Sequence, residues 1–354
     1  MTSSSTTSAI TLRTLTDGGQ QPLEIAKEVA AFLGAAQHTL DLAQYDFNLG
    51  PDTAAVVGDA IRDAAARGVA VRIAYNLDHR LPIPVPPPPE PDATLIASFG
   101  APSKAIAGVP DLMHHKYVVR DGESVWTGSL NWTDDSWSRQ ENVVVTIHSP
   151  DLAARFTKDF EQLWHAGNVE ETGRVDPSAI HVDGVEVRAW FTPTYGEDLS
   201  HRIANAIGRA RRRVRICSPV LTAAPVISTL AQRISDGGLD VAGCIDSTQI
   251  NGVFHDWHRD GNAAWKIPIL ERVLRAPFSG KPSLPYAAQS VHDFMHAKVT
   301  VADDVVFTGS FNLSHRGEKN AENMLEIHDA ALAERLAQFV DEVRARYPRV
   351  KRTG

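Results

Sequence analysis

Cysteine is nearly absent: Cys217 and Cys244 are the only two in 354 residues. Two thiols cannot build a disulfide framework or a four-thiolate zinc site, so a packed core must hold the fold. Both are expected to be buried free thiols in a reducing compartment. Long apolar runs are missing as well. The stretch Val29 to Ala36 is interrupted by Gly34 and is far too short to cross a bilayer. The opening residues carry neither the basic nor the apolar region of a signal peptide. These absences predict a cytoplasmic protein with no transmembrane segment. An excess of positive charge is lacking too, since 43 acidic residues outnumber 35 basic ones and leave a formal charge of −8. That argues against a surface basic all over, the usual footprint of nucleic-acid binding, while leaving room for a local basic site. What is there, 43% hydrophobic and 22% charged, is ordinary globular composition with ample material for a core.

The chain repeats itself with a period of about 180 residues. In the first half, Leu23–Gly34 has the pattern of an amphipathic helix, Thr39–Phe47 of a strand, Thr53–Arg67 of a helix and Val69–Asn76 of a strand. In the second half, Leu199–Ala210, Val214–Ser218, Ala224–Ser235 and Leu239–Asp246 follow in the same order. The second helix of each half ends at glycine, Gly68 and Gly237, which suits a left-handed cap. A late helix also recurs, over Asp151–Trp164 and Ala330–Tyr347. Apolar strands alternating with helices predict an α/β architecture with sheets covered by helices. The expected domains are residues 1–170 and 185–354, joined through the polar segment Ala166–Gly184.

Each half holds one histidine-centred motif. The first has His114, Lys116 and Asp121, then Gly128, Ser129 and Asn131, then Glu141 and Asn142; the second has His296, Lys298 and Asp303, then Gly309, Ser310 and Asn312, then Glu322 and Asn323. In a strand, residues i and i+2 share a face, so each histidine projects together with its lysine. Asp121-Gly122 is a hairpin signal, and folding back there is expected to set Lys116 opposite Thr127 and His114 opposite Ser129. The interval from Asp303 to Gly309 is one residue shorter, which predicts a different register in the second copy or a bulge in the first.

These groups suit phosphoryl transfer. Lysine ammonium and asparagine amide groups can hold the non-bridging oxygens of a phosphodiester, one imidazole can attack phosphorus, and a second can protonate the leaving alkoxide and then activate water. Glu141 and Glu322 are expected to orient the histidines by accepting from their other ring nitrogens. The pattern resembles the phospholipase D superfamily, with its His-x-Lys-x4-Asp signature, over nearly the whole chain. The resemblance implies two tandem pseudo-symmetric α/β/α lobes with one active site at their interface. It also implies a metal-independent phosphodiesterase or phosphatidyltransferase that forms a phosphohistidine and needs no cofactor. It makes His114 the nucleophile, His296 the general acid and base, and Asp121 and Asp303 structural. One chain carries both motifs, so a monomer can hold a complete site.

His115 falls on the opposite strand face and is expected to be structural; metal binding by His114, His115, His292 and His296 lacks the usual supporting motif. Asp111, Asp134, Asp135 and Asp293 share no spacing and are expected in loops. The run Arg209, Arg211, Arg212, Arg213 and Arg215 is expected to form a solvated, self-repelling surface, and the basic cluster from Arg344 to Arg352 a helix end with a frayed tail. Leu81–Pro91 holds seven of the 21 prolines and is expected to be a stiff extended loop. The segment Ser247–Ser290, rich in apolar residues, is expected to cap the second lobe, or else to receive acyl chains. Phospholipid is the favoured substrate, by hydrolysis or transphosphatidylation. A nuclease of the same superfamily remains an alternative partner reading, and a catalytically silent phosphodiester-binding module is the least favoured because neither histidine nor lysine is lost.

Overall fold

The structure, a computed structural model, describes residues 9–77, 91–107, 111–261, 263–285 and 290–350. The first lobe runs β1 (Ile10–Leu15), α1 (Pro22–Gly34), β2 (Thr39–Gln44), β3 (Phe47–Asn48), α2 (Pro51–Ala66) and β4 (Ala70–Leu77). It continues through α3 (Ala93–Ser98), β5 (Ser103–Ala107), β6 (Lys116–Arg120), β7 (Ser124–Gly128), β8 (Trp132–Thr133), α4 (Asp134–Ser138), β9 (Asn142–His148) and α5 (Pro150–Ala166). The second lobe begins with β10 (Ile180–Val182), β11 (Val185–Phe191), α6 (Gly196–Arg209), β12 (Arg213–Ser218), α7 (Ala224–Asp236) and β13 (Asp240–Asp246). After α8 (Ser247–Asp260) and α9 (Ile267–Val273) come β14 (Phe278–Lys281), β15 (Val299–Ala302), β16 (Val305–Gly309), α10 (His315–Lys319), β17 (Asn323–His328) and α11 (Ala330–Arg346).

The two sheets have the same plan. One is ordered β1-β9-β7-β6-β2-β4-β5; the other, after the edge strand β10, is ordered β11-β17-β16-β15-β12-β13-β14. In each, the last three strands run parallel and the others antiparallel. The outer face of the first sheet is covered by α1 and α2, through Ile25, Val29, Leu33, Val57 and Ile61. That of the second is covered by α6 and α7, with Ile250 and Phe254 of α8 and Leu270 of α9 in the same core. Between the sheets lie α5 and α11. Leu152, Phe156, Phe160 and Leu163 of α5 share one buried cluster with Leu336, Val340 and Val343 of α11 and with strand residues of both lobes. Apolar residues at helical spacing give α5 its buried face, the Ser149 hydroxyl accepts from Leu152 N–H at its start, and Gly167, at φ 70°, ends it. The lobes are therefore welded by a common core.

The described part of the Ser247–Ser290 segment packs on the second lobe, and its residues Thr248, Gln249, Ser283 and Leu284 also reach the cleft between the lobes. The connection after α5 is tied down, with Val169 and Val175 in the shared core, and the second sheet already begins within it at Ile180. Residues 81–90 of the proline-rich segment, Tyr286 of the apolar insert, and Lys351 and Arg352 lie outside the described residues. Cys217 and Cys244 are buried free thiols. No helix among the described residues is long and apolar enough to cross a membrane.

Three expectations need correction. Of the arginines at the β12 entry, Arg209, Arg211 and Arg212 are exposed as expected, but three of the run are paired with carboxylates: Arg212 with Asp304 at 2.5 Å, Arg213 with Glu334 at 2.6 Å, and Arg215 with Asp240 at 2.6 Å. Asp134 and Asp135 form the first turn of α4, where their charge suits the helix N-terminus. The third correction concerns the hairpins. Tyr117, not Lys116, faces Thr127, so Lys116 stands opposite Gly128 and His114 is not opposite Ser129. In the second hairpin Val299 faces Thr308, which puts Lys298 opposite Gly309. The lysine–glycine register is thus the same in both copies. The extra residue of the first copy is absorbed by a longer turn, Asp121-Gly122-Glu123 against Asp303-Asp304, and neither a shifted register nor a strand bulge is needed.

Candidate active site

Both motif aspartates sit in these turns with φ of 56° and 53°, in the left-handed region that Asp tolerates better than most residues. Each carboxylate gathers three backbone N–H groups at the entry of the neighbouring strand. Asp121 accepts from Gln37, His38 and Thr39, the last at 2.9 Å, and Asp303 from Arg211, Arg212 and Arg213 at 2.7, 2.9 and 3.0 Å. Burial pushes both carboxyls up, but the backbone donors outweigh it and hold them below the usual range. These residues fix the hairpins and stand apart from the reacting groups.

Each motif enters its strand pinned to the opposite lobe. Met113 pairs with Ala321, His114 N–H donates to the Ala321 carbonyl at 2.8 Å, and Met295 pairs with Glu141. This crossing brings His114 and His296 to one cleft of about 580 Å³ lined also by Asn131, Asn312, Tyr45 and Phe294. Lys116 and Lys298 lie beneath it, buried, each donating back to the carbonyl of its own motif histidine at 2.7 and 2.8 Å. Lys116 also lies 4.6 Å from the centre of the Tyr45 ring, and that ring is 4.5 Å from the His114 ring. The side-chain oxygens of Asn131 and Asn312 are buried and find no hydrogen-bond partner within the protein.

Burial, reinforced by the two lysines, drives both imidazoles well below their usual pKa. Burial likewise lowers the Lys116 ammonium to about 7 and drives Lys298 well below its usual value. Burial thus disfavours positive charge in the cleft, and an anion bound beside these groups would offset that cost.

The Gly-Ser-x-Asn segments run beside β9 and β17. A Cβ on Gly128 or Gly309 would collide with the carbonyl oxygen of Val143 or Asn323, which explains glycine at both positions. The Ser129 hydroxyl accepts from Val143 N–H at 3.0 Å, and Ser310 from Asn323 N–H at 3.0 Å.

The histidine partners differ from expectation. His114 Nδ1 lies 2.7 Å from Glu322 Oε2, both groups buried. His296 Nδ1 meets Asn142 Oδ1 at 3.1 Å, not Glu141. The Asn142 amide is oriented from its other end, since its Nδ2 donates to the Ser136 carbonyl at 3.1 Å while Oδ1 also accepts from Ser129 at 2.7 Å. Strand register gives the reason. Gly128 pairs with Val144 but Gly309 pairs with Met324, so Asn142 occupies the place of Glu322 and Glu141 that of Ala321. Three residues join α4 to Asn142 where two join α10 to Glu322. Both copies read Glu-Asn at the same distance from Gly-Ser, and the recurrence conceals that slip. Glu141 instead turns to Lys281, 3.0 Å away, and to the hydroxyl of Tyr347.

Burial raises the Glu322 carboxyl to about 7, while Lys116, Ser310, Lys298 and Asn320 pull it back down. His115 is fully buried away from the cleft, its ring 3.1 Å from Asp159, and Asn323 Nδ2 approaches its Nδ1 at 3.2 Å. Asp135 accepts from His292 N–H and Asp293 from Leu284 N–H, ties that shape the rim. Among the described residues, no three His, Cys, Asp or Glu side chains cluster as a metal site.

A family profile described as "Cardiolipin synthase, PLD-like domain" matches residues 29–164 and again residues 203–344. The mitochondrial cardiolipin hydrolase of Homo sapiens is 28% identical over 153 residues, 42% of this chain and 54% of that protein. That of Xenopus laevis is 47% identical over 53 residues, 15% of this chain and 25% of that protein. The chain therefore spans between a quarter and about half the length of these curated relatives. A phosphatidylserine synthase from Haemophilus influenzae Rd KW20 superposes with a TM-score of 0.67 over 95% of this chain and 86% of that one, at 12% identity, which is a likeness of fold.

Proposed function

Because the chain belongs to the phospholipase D superfamily, matching one of its domain types in both halves, we propose that it is a phosphodiesterase or phosphatidyltransferase. It cleaves phospholipid head groups through a phosphohistidine on His114. The observation that carries this reading is the asymmetric pair of imidazoles in one cleft, one held by a carboxylate and the other by an amide.

A nucleophilic imidazole acquires positive charge as its Nε2 bonds to phosphorus. A carboxylate on Nδ1 stabilises that charge and keeps Nε2 free for attack, so the Glu322 partner marks His114 as the nucleophile. A general acid must give its proton away. An amide oxygen orients the ring without holding the proton as a carboxylate would, which suits His296. Burial and the two lysines disfavour the charged form of both rings; the diester anion, lying against two lysines and two histidines, favours proton uptake by His296.

The first step forms the N–P bond and breaks the bond from phosphorus to the leaving oxygen, which takes the proton of His296. In the second step the neutral His296 removes a proton from water or an alcohol. The resulting oxygen attacks phosphorus, the N–P bond breaks and His114 returns neutral. Lys116, Lys298, Asn131 and Asn312 stabilise the non-bridging oxygens throughout. Pro219, Val220, Leu284, Pro285 and Phe294 along the cleft favour a diester with apolar substituents.

Purified protein in EDTA should release head group from phosphatidylglycerol or phosphatidylcholine vesicles and label His114. Cleavage of single-stranded DNA with no lipid turnover would replace the lipid reading by a nuclease. Absence of turnover on all of them, with no acid-labile phosphoprotein, would overturn the enzymatic reading.

A further inference from the structure

The halves differ at a pair of positions that strict pseudo-symmetry would make alike. Lys281 of β14 stands beside Asp246 of β13; the matching place in the first lobe, beside Asn76 of β4, is Ile106 of β5. Glu141, paired with Met295, takes the place that Ala321, paired with Met113, takes in the other half. One side of the contact between the lobes thus has Ile106 and Ala321, both in the shared apolar core, where the pseudo-symmetric side has Lys281 and Glu141.

The charged pair is buried. Lys281 is 2% exposed and Glu141 not at all. The Lys281 ammonium lies 3.0 Å from Glu141 Oε2 and 3.2 Å from Asp17 Oδ2, and donates to the Arg139 carbonyl at 2.7 Å. The other oxygen of Glu141 accepts from Tyr347 hydroxyl and from Asp17 N–H. Four segments meet here, two from each lobe.

A buried ion pair is a poor source of net stability, because desolvation offsets the attraction; what it can supply is one definite register. The register at this point decides the chemistry of the site. Glu141 precedes Asn142, and its partner Met295 precedes His296. In an extended chain neighbouring side chains point opposite ways. Drawing Glu141 toward Lys281 therefore turns Asn142 toward His296.

Resting on the reading of His296 as the general acid, we propose that Lys281 and Glu141 are positioning residues for that histidine. They anchor the chain so that an amide, and not a carboxylate, meets its Nδ1. The cation also neutralises the carboxylate one residue away, which would otherwise help the ring keep its proton.

The test grafts the pair of the pseudo-symmetric side into this one, as Glu141→Ala with Lys281→Ile, so that no lone charge is left buried and folding is preserved. Two substrates separate positioning from general damage. Bis(4-nitrophenyl) phosphate has a leaving group that departs without a proton; phosphatidylglycerol in detergent micelles has an alkoxide that needs one. Single-turnover labelling of His114 should stay within twofold of wild type with the aryl diester and fall at least tenfold with phosphatidylglycerol. Equal loss with both, or no loss with either, would overturn the proposal. Nitrogen-15 spectra of the imidazoles give a readout independent of turnover. The His296 Nδ1–H resonance should broaden or shift in the double variant while that of His114 is kept. If the wild type cleaves neither diester, the enzymatic reading fails, and an unchanged His296 resonance would refute the positioning role as well.

Discussion

Glu322→Gln isolates the charge behind the nucleophile. The amide can still accept from His114 Nδ1, so geometry is largely kept while the negative charge is removed. With the nitrogen–oxygen distance at 2.7 Å, the charge centres of an imidazolium and this carboxylate are about 4 Å apart, worth about 4 kcal/mol at an effective dielectric of about 20. Part of this is present before attack, as a hydrogen bond to the neutral ring, and the glutamine oxygen recovers part of the rest. A loss of about 2–3 kcal/mol should remain, a slowing of about 30- to 150-fold in formation of the phosphohistidine. The loss should depend on pH with a definite sign. Burial lifts the Glu322 carboxyl to about 7, so wild type has the full carboxylate only above that pH and forfeits it below. Single-turnover labelling of His114 from pH 5.5 to 9 should show wild type gaining rate through neutrality and Glu322→Gln lacking that rise. The two curves should converge at low pH. A variant within threefold of wild type at pH 8.5 would refute the assignment of Glu322 as the charge that supports His114.

Further outcomes follow from the same geometry. His296→Ala with an aryl diester should accumulate the covalent adduct on His114, seen by mass spectrometry of acid-quenched protein; an adduct on His296 in His114→Ala would reverse the roles. Lys298→Met should lower kcat by about 100- to 1000-fold, the usual loss for one preorganised donor to a developing oxyanion, with thermal unfolding monitored to show that the fold survives. Asp303→Asn should destabilise the fold by about 1–3 kcal/mol at neutral pH, because a charged acceptor of three backbone N–H groups is replaced by a neutral one. The wild-type carboxyl is held below its ordinary value of 3.8, so its contribution is present above that value and lost as pH falls through the depressed one. Urea melts of the two proteins should therefore differ at pH 7 and draw together below pH 3.

Much of this was legible in the amino-acid order. Duplicated helix and strand periods give the two lobes, since burial on a sheet or helix face imposes its own spacing. The β2, β4, β12 and β13 strands lie within a few residues of their apolar runs. His114 with Lys116 and His296 with Lys298 need only the period-two geometry of a strand to be placed together. Other features were hidden because they depend on loop length. The register of the first hairpin was misplaced by one residue because Glu123 belongs to the turn, and sequence alone does not say how many residues a turn consumes. The arginines before β12 were misread because their partners, Asp240, Asp304 and Glu334, come from elements up to 121 residues away.

The sequence by itself pointed to the kind of reaction proposed. Two histidines, two lysines and two asparagines in matched copies have few uses apart from phosphoryl transfer, and chemistry of that sort is a property of residue types. Which group stands behind each histidine was decided by tertiary structure alone. Both copies print Glu-Asn at the same interval, but Gly128 pairs with Val144 where Gly309 pairs with Met324, which displaces the first copy by a single position. On an extended chain a single position exchanges the two faces. That sends Glu141 to Lys281 and Asn142 to His296, while Glu322 stays on His114. A nearly symmetric sequence thereby yields an asymmetric site, with a carboxylate behind one imidazole and an amide behind the other.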